Sequence, residues 1–166
     1  MAVDVSRTQD VYKDAGKSVN FTTLLLNRKD HDAELEVVQD MADRIQAIKR
    51  SVSIRANNSG LAIAFGFSRK AWDYLFPNAP VPKELEDFTG IKGDKQDVPA
   101  IPADLFLHVR SNDESVTYTV VDQIMEFLRP ITTVVDETHG FHYEQGRAII
   151  DFVDGTENPV GQEAVE

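Results

Sequence analysis

Apolar and polar residues alternate along residues 19–28, and a period of two predicts a strand. Phe21, Thr23 and Leu25 fall on one side and Thr22, Leu24 and Leu26 on the other. Both sides are moderately apolar, so an internal strand covered on each face is expected. From Asp30 the period changes to that of a helix: Leu35, Val38, Met41, Ala42, Ile45 and Ile48 recur with charges between them. Asp30 is the expected N-cap, Asp32 and Glu34 suit the first turn, and Lys49 and Arg50 suit the C-terminal end.

A turn cluster at residues 57–60 precedes a short apolar run at 61–67. Leu61, Ile63 and Phe65 line one face of the expected strand, and Ala62, Ala64 and Gly66 leave room on the other. Ser68 caps a short helix that Pro77 stops. Residues 77–102 hold Pro77, Pro80, Pro82, Pro99 and Pro102 with Gly90 and Gly93, which reads as a long surface connection. A third strand follows at 103–110, with Leu105, Leu107 and Val109 opposed to Phe106, His108 and Arg110. Residues 111–113 cap a second long helix with the stripe Val116, Val120, Ile124, Phe127 and Leu128, ended by Pro130. The β-branched run at 131–137 is a fourth strand.

The order β-α-β-loop-β-α-β predicts an α+β fold: a ferredoxin-like (split βαβ) antiparallel sheet with helices on one face. The expected organisation is a leader over residues 1–18, the ferredoxin-like domain over 19–145, and a distinct segment over 146–166. One sheet face is left open, to be covered by a second domain, a symmetry mate or a ligand.

Composition narrows the function. The chain has 166 residues, no cysteine, and a net charge of −11. Disulfides, thiolate metal sites and a cysteine nucleophile are excluded. The acidic balance argues against nucleic acid or an anionic membrane as partner. No apolar run approaches a membrane span, and the first 17 residues lack a signal-peptide core; a cytoplasmic location is expected. Phosphate-binding glycine loops and nucleophile elbows are absent from the sequence. No metal site is expected: His139 and His142 are three apart, but the intervening Gly140 opposes a helix. His31 and His108 read as an exposed and a structural histidine.

The stretch Ile150-Asp151-Phe152-Val153-Asp154-Gly155-Thr156-Glu157-Asn158-Pro159 stands apart. As a turn, it uses Asp and Gly for left-handed backbone and polar side chains for local bonds. As a site, it presents Asp154 at the end of an apolar approach, where burial would raise its pKa and make it a proton shuttle. Taken alone, the residues favour the turn.

FVDGTENP resembles the distal motif of the dye-decolorizing (DyP-type) haem peroxidases, Gly-x-x-Asp-Gly followed by Thr-x-Asn-Pro. The run Asp104-Leu-Phe-Leu-His-Val, the helix after it, and Glu137-Thr-His139-Gly-Phe141 agree, so the resemblance spans residues 19–160. It implies the N-terminal half of a two-domain dimeric α+β fold, with haem b as cofactor. Hydrogen peroxide and a small organic reductant are the implied partners, in a homo-oligomer or with a second domain. Asp154 would be the distal aspartate that moves the peroxide proton. Gly155, Thr156 and Glu157 would line the haem, and Asn158 would support the loop. The first Gly of the motif is Asp151 here. The family's proximal histidine and distal arginine belong to its second domain, and none of the four histidines here fills the proximal position. By itself the chain is expected to be an incomplete, inactive peroxidase. A non-catalytic ferredoxin-like module that dimerises or binds a small ligand is the alternative.

Overall fold

Both long helices begin on an aspartate. In a computed structural model, which describes residues 9–153 and 155–157, the Asp30 carboxylate accepts the Ala33 N–H at 3.1 Å. The Asp113 carboxylate accepts the Ser115 N–H at 2.9 Å. These caps satisfy amide donors that have no partner inside a helix. They open α1 (His31–Arg55) and α3 (Glu114–Leu128). A shorter α2 (Arg69–Leu75) starts on Ser68, whose hydroxyl accepts the Ala71 N–H at 3.1 Å.

The first helix outruns its expected end at Lys49-Arg50 and continues to Arg55. No Gly or Pro interrupts it there, and Val52, 3% exposed, extends the apolar stripe one further turn. Lys49 therefore does not complement the helix terminus. Its ammonium pairs with Asp10 instead. Val38 and Met41 are buried as the stripe requires, whereas Ala42 is exposed.

Four strands form the main sheet: β1 (Ser18–Leu26), β2 (Ala62–Phe67), β5 (Leu105–Ser111) and β6 (Thr132–Phe141). Their order is β2-β5-β1-β6, and every neighbouring pair is antiparallel. This is the split βαβ arrangement, in which each half of the motif sends its helix across the same face. Register puts Leu24, Leu105, Leu107, Val109, Ile63 and Phe65 on that face, beneath α1 and α3. Val120, Ile124 and Leu128 of α3 and Val38 and Met41 of α1 complete the core. Strand β1 is central, but its cover is unequal. Asn20, Thr22, Leu24 and Leu26 are buried, while Phe21, Thr23 and Leu25 are only half-buried.

The fourth strand of this sheet reaches Phe141, four residues past its expected end at Glu137. Gly140 makes the extension feasible: a Cβ there would lie 2.8 Å from Val19 Cγ1 across the ladder. The long connection at 77–102 is exposed along most of its length. It folds only a two-residue hairpin, β3 (Ile91–Lys92) with β4 (Asp97–Val98).

The segment before β1 is built into the sheet. The Gln9 carboxamide both accepts the Phe65 N–H at 2.6 Å and donates to the Phe65 carbonyl at 2.9 Å. Asp10 accepts the Ile63 N–H at 3.2 Å. Burial pushes the Asp10 pKa up, but bonds from Lys13, Lys49 and the Ile63 amide outweigh it and hold the group low. The strap then passes over the edge of β2 onto the open face, and Arg110 fastens it there. The guanidinium donates to the carbonyls of Asp10 at 2.6 Å, Val11 at 3.1 Å and Asp14 at 2.9 Å.

Candidate active site on the open sheet face

Side chains that alternate away from the helices meet on the second face of the sheet. Phe21 of β1 lies opposite His108 of β5 in the register, with ring centroids 4.5 Å apart. Phe106 stacks on Phe21 at 6.0 Å. Arg110, two residues from His108 on the same strand, places Nη1 3.3 Å from the His108 ring. Phe106 is 40% exposed, so this aromatic floor is open to solvent.

A cavity of about 780 Å³ stands on this floor. Val19, Phe21, His108 and Arg110 form its base, the strap at 11–18 one wall, and Phe141, His142, Tyr143, Gly146, Arg147 and Gly155 the other. Among the described residues, Lys13, Lys17, Arg110 and Arg147 line it, against one acidic residue, Asp14. A cationic cavity in a chain of net charge −11 is a local reversal of sign. His108 is held below the ordinary imidazole pKa, first by burial and then by the Arg110 charge. It is therefore neutral at pH 7.

The motif reaches this cavity through Gly155, whose φ is 70°. Thr156 and Glu157 are exposed and do not line it. Asp154 and Asn158, the expected proton carrier and its support, lie outside the described residues. Asp151 is exposed at φ 71°. The two histidines three apart go different ways. His139 bonds Glu137 at 2.9 Å and Asn20 at 3.3 Å, whereas His142 lines the cavity. Among the described residues no cluster of three or more His, Cys, Asp or Glu could hold a metal ion.

Sequence reasoning missed His108 and Arg110. His108, expected as a structural histidine, meets Arg110 Nη1 at 3.3 Å and also has a place on the cavity floor, its ring facing Phe21. The signal was present in the alternation of Phe106, His108 and Arg110. It lacked the register that sets them against Val19 and Phe21.

The architecture defines a class: an α+β ferredoxin-like domain whose open sheet face carries a ligand-sized cavity with a glycine loop at its wall. A family model described as Dyp-type peroxidase, N-terminal, matches residues 8–142. The chain belongs to the dye-decolorizing (DyP-type) peroxidase family, in the region of its N-terminal domain. Among curated relatives, the dye-decolorizing peroxidase of Rhodococcus erythropolis is 38% identical over 78% of this chain and 38% of its own length. That of Mycobacterium tuberculosis is 35% identical over the same shares. Among solved structures, a dye-decolorizing peroxidase from Bacteroides thetaiotaomicron superposes with a TM-score of 0.86 at 37% identity, covering 93% of this chain and 50% of that one. The encapsulated DyP-type peroxidase of Mycobacterium smegmatis gives a TM-score of 0.84 at 31% identity, with 92% and 48% covered. The chain thus spans about half the length of the solved relatives and less than that of the curated ones.

Proposed function

We propose that this chain is the distal half of a haem b peroxidase that uses hydrogen peroxide to oxidise small phenolic or dye-like reductants. A second ferredoxin-like half, lying over the open face, supplies the iron ligand. The observation that carries this reading is the position of Gly155: the motif's glycine lines the cavity that an aromatic floor and a cationic rim already define. Membership of the family supports the same reading.

The lining fits the macrocycle. A flat apolar ring needs a flat apolar wall, which Val19, Phe21 and Phe141 provide, and its carboxylates need cations, which Lys17 and Arg147 provide. Haem, when bound, supplies the redox chemistry, and the protein supplies orientation and proton transfer. Gly155 would lie beside the ring, with Thr156 and Glu157 continuing the loop outside the cavity. With haem bound to supply the electrons for O–O cleavage, the Asp154 carboxylate would accept a proton from one oxygen of hydrogen peroxide and return it to the other.

Asp154→Asn in the haem-loaded protein tests this directly. The rate of reaction with hydrogen peroxide should fall by about 10²–10⁴-fold, the span of general acid–base catalysis, with the Soret band retained. An unchanged rate overturns the role of Asp154. The 166-residue chain alone should bind haem only weakly, because an axial ligand and a closed pocket need the second half. A stoichiometric, histidine-ligated haem spectrum from the isolated chain overturns that part.

A further inference from the structure

The outer side of β6 is a strand edge with room for another strand. β1 lies on one side of β6, and among the described residues no strand lies on the other. Residues 133–139 are exposed. Their outward N–H and C=O groups form a template for strand addition. A bulge in the β1–β6 ladder, at Thr23 and Leu24 of β1, interrupts the regular pleat beside Val135. The regular stretch is therefore residues 136–140.

The side chains on that stretch select a partner. A second copy related by a two-fold axis runs antiparallel, so the register is fixed by whichever residue faces itself. With Thr138 on the axis, Glu137 of each copy faces His139 of the other, and Asp136 faces Gly140, which has no side chain to oppose it. With Asp136 or Glu137 on the axis, two carboxylates would face each other, and with His139 two imidazoles. Opposite charges across a ladder attract and like charges repel, so one register is complementary. The Glu137–His139 pair is also held ready. Buried Asn20 sets its carboxamide nitrogen 3.1 Å from Glu137 Oε1 and 3.3 Å from His139 Nε2, and the Thr22 hydroxyl donates to its oxygen at 2.7 Å. Glu137 and His139 lie 2.9 Å apart, with side chains 45% and 58% exposed, so both are ordered yet reachable. Groups ordered in advance lose less freedom on association.

We propose that β6 is a strand-addition interface between two copies of this chain, paired antiparallel about Thr138 with Glu137 of each copy against His139 of the other. Two four-stranded sheets then become one continuous sheet, and the cavity face is left free. Chains of net charge −11 repel at long range, so the local contacts decide the pairing once salt screens charge beyond about 8 Å.

A sequence without cysteine makes the register measurable by cross-linking. Thr138→Cys places its thiol on the axis, where facing Cα atoms are about 4.5–5.5 Å apart, within reach of a disulfide. Mild oxidation should give a covalent dimer. Asp136→Cys should not, because an offset of four residues puts its two copies roughly 14 Å apart. No cross-link at residue 138, or equal cross-linking at both positions, overturns the proposal. Charge exchange gives a second readout. In sedimentation across a wide concentration range the parent chain should approach twice its monomer mass. Glu137→Lys and His139→Glu should each raise the dimer dissociation constant about tenfold or more, since the two-fold repeats each loss. An equimolar mixture of the two variants should regain the parent value, as should the chain carrying both, because each sets opposite charges face to face again. A chain that stays monomeric overturns the proposal. So does a dimer that both single variants leave intact, or a loss that neither combination restores.

Discussion

Asp104 shows how one buried carboxylate joins three parts of the chain. It is 2% exposed, accepts the Leu26 N–H at 2.9 Å and takes both guanidinium nitrogens of Arg28 at 2.7 Å. Arg28 has φ 51° and lies over the Tyr74 ring at 5.1 Å, so the bidentate pair also pins a left-handed residue between β1 and α1. Asp104→Ala leaves the Leu26 amide without its partner and should cost about 1.5–3 kcal/mol, the range for hydrogen bonds to charged groups. A urea midpoint equal to that of the parent chain would refute this. His108 gives a pH dependence of definite sign. Its folded pKa lies below the unfolded value near 6.5, through burial first and Arg110 second. Below that value the unfolded chain gains a proton that the folded chain resists, so stability falls as pH drops from 6.5 through the folded pKa. His108→Asn should lose stability less steeply between about pH 7 and 5, as followed by urea midpoints across that window.

The strap is the element whose removal has the most local effect. Gln9 and Asp10 satisfy the outward amides of Phe65 and Ile63, which would otherwise mark an open strand edge. Gln9→Ala should therefore raise hydrogen exchange at Phe65 while leaving its ladder partner Leu107 protected. Equal exchange in both proteins would show that the strap does not guard the edge. Caps, stripes and strand alternation were readable in the sequence because each depends on residues two to four apart, as in Asp30 with Ala33 or Ser68 with Ala71. Element ends were less so. Arg55 and Phe141 mark ends set by Val52 reaching the core and by Gly140 passing Val19, contacts between distant segments. The strap was unreadable for the same reason, since Gln9 and Phe65 are 56 residues apart. At the site, the motif was legible as a string, whereas its floor required the pairing of Phe21 with His108.

For the whole molecule, the two faces of the sheet have opposite fates. One is sealed by α1 and α3, and the other keeps Phe106 at 40% exposure beside a cavity of about 780 Å³. The hydrophobic dye anilinonaphthalene sulfonate should fluoresce on the native 166-residue chain with near-UV ellipticity intact, which distinguishes a native pocket from a molten state. Phe21→Ser with Phe106→Ser should remove most of that signal. A dark native chain would mean that the face is already covered in solution.

The two edges of the sheet differ as much as its faces. Gln9 and Asp10 occupy the outer side of β2, while β6 ends the sheet with no strand beyond it among the described residues. In the language of polymer chemistry the described part of such a unit is monofunctional: it has one group capable of strand addition, not two. Chains joined through β6 therefore stop at a pair. A sheet with both edges bare could propagate into a fibre, and the side chains of two residues near the N-terminus remove that route.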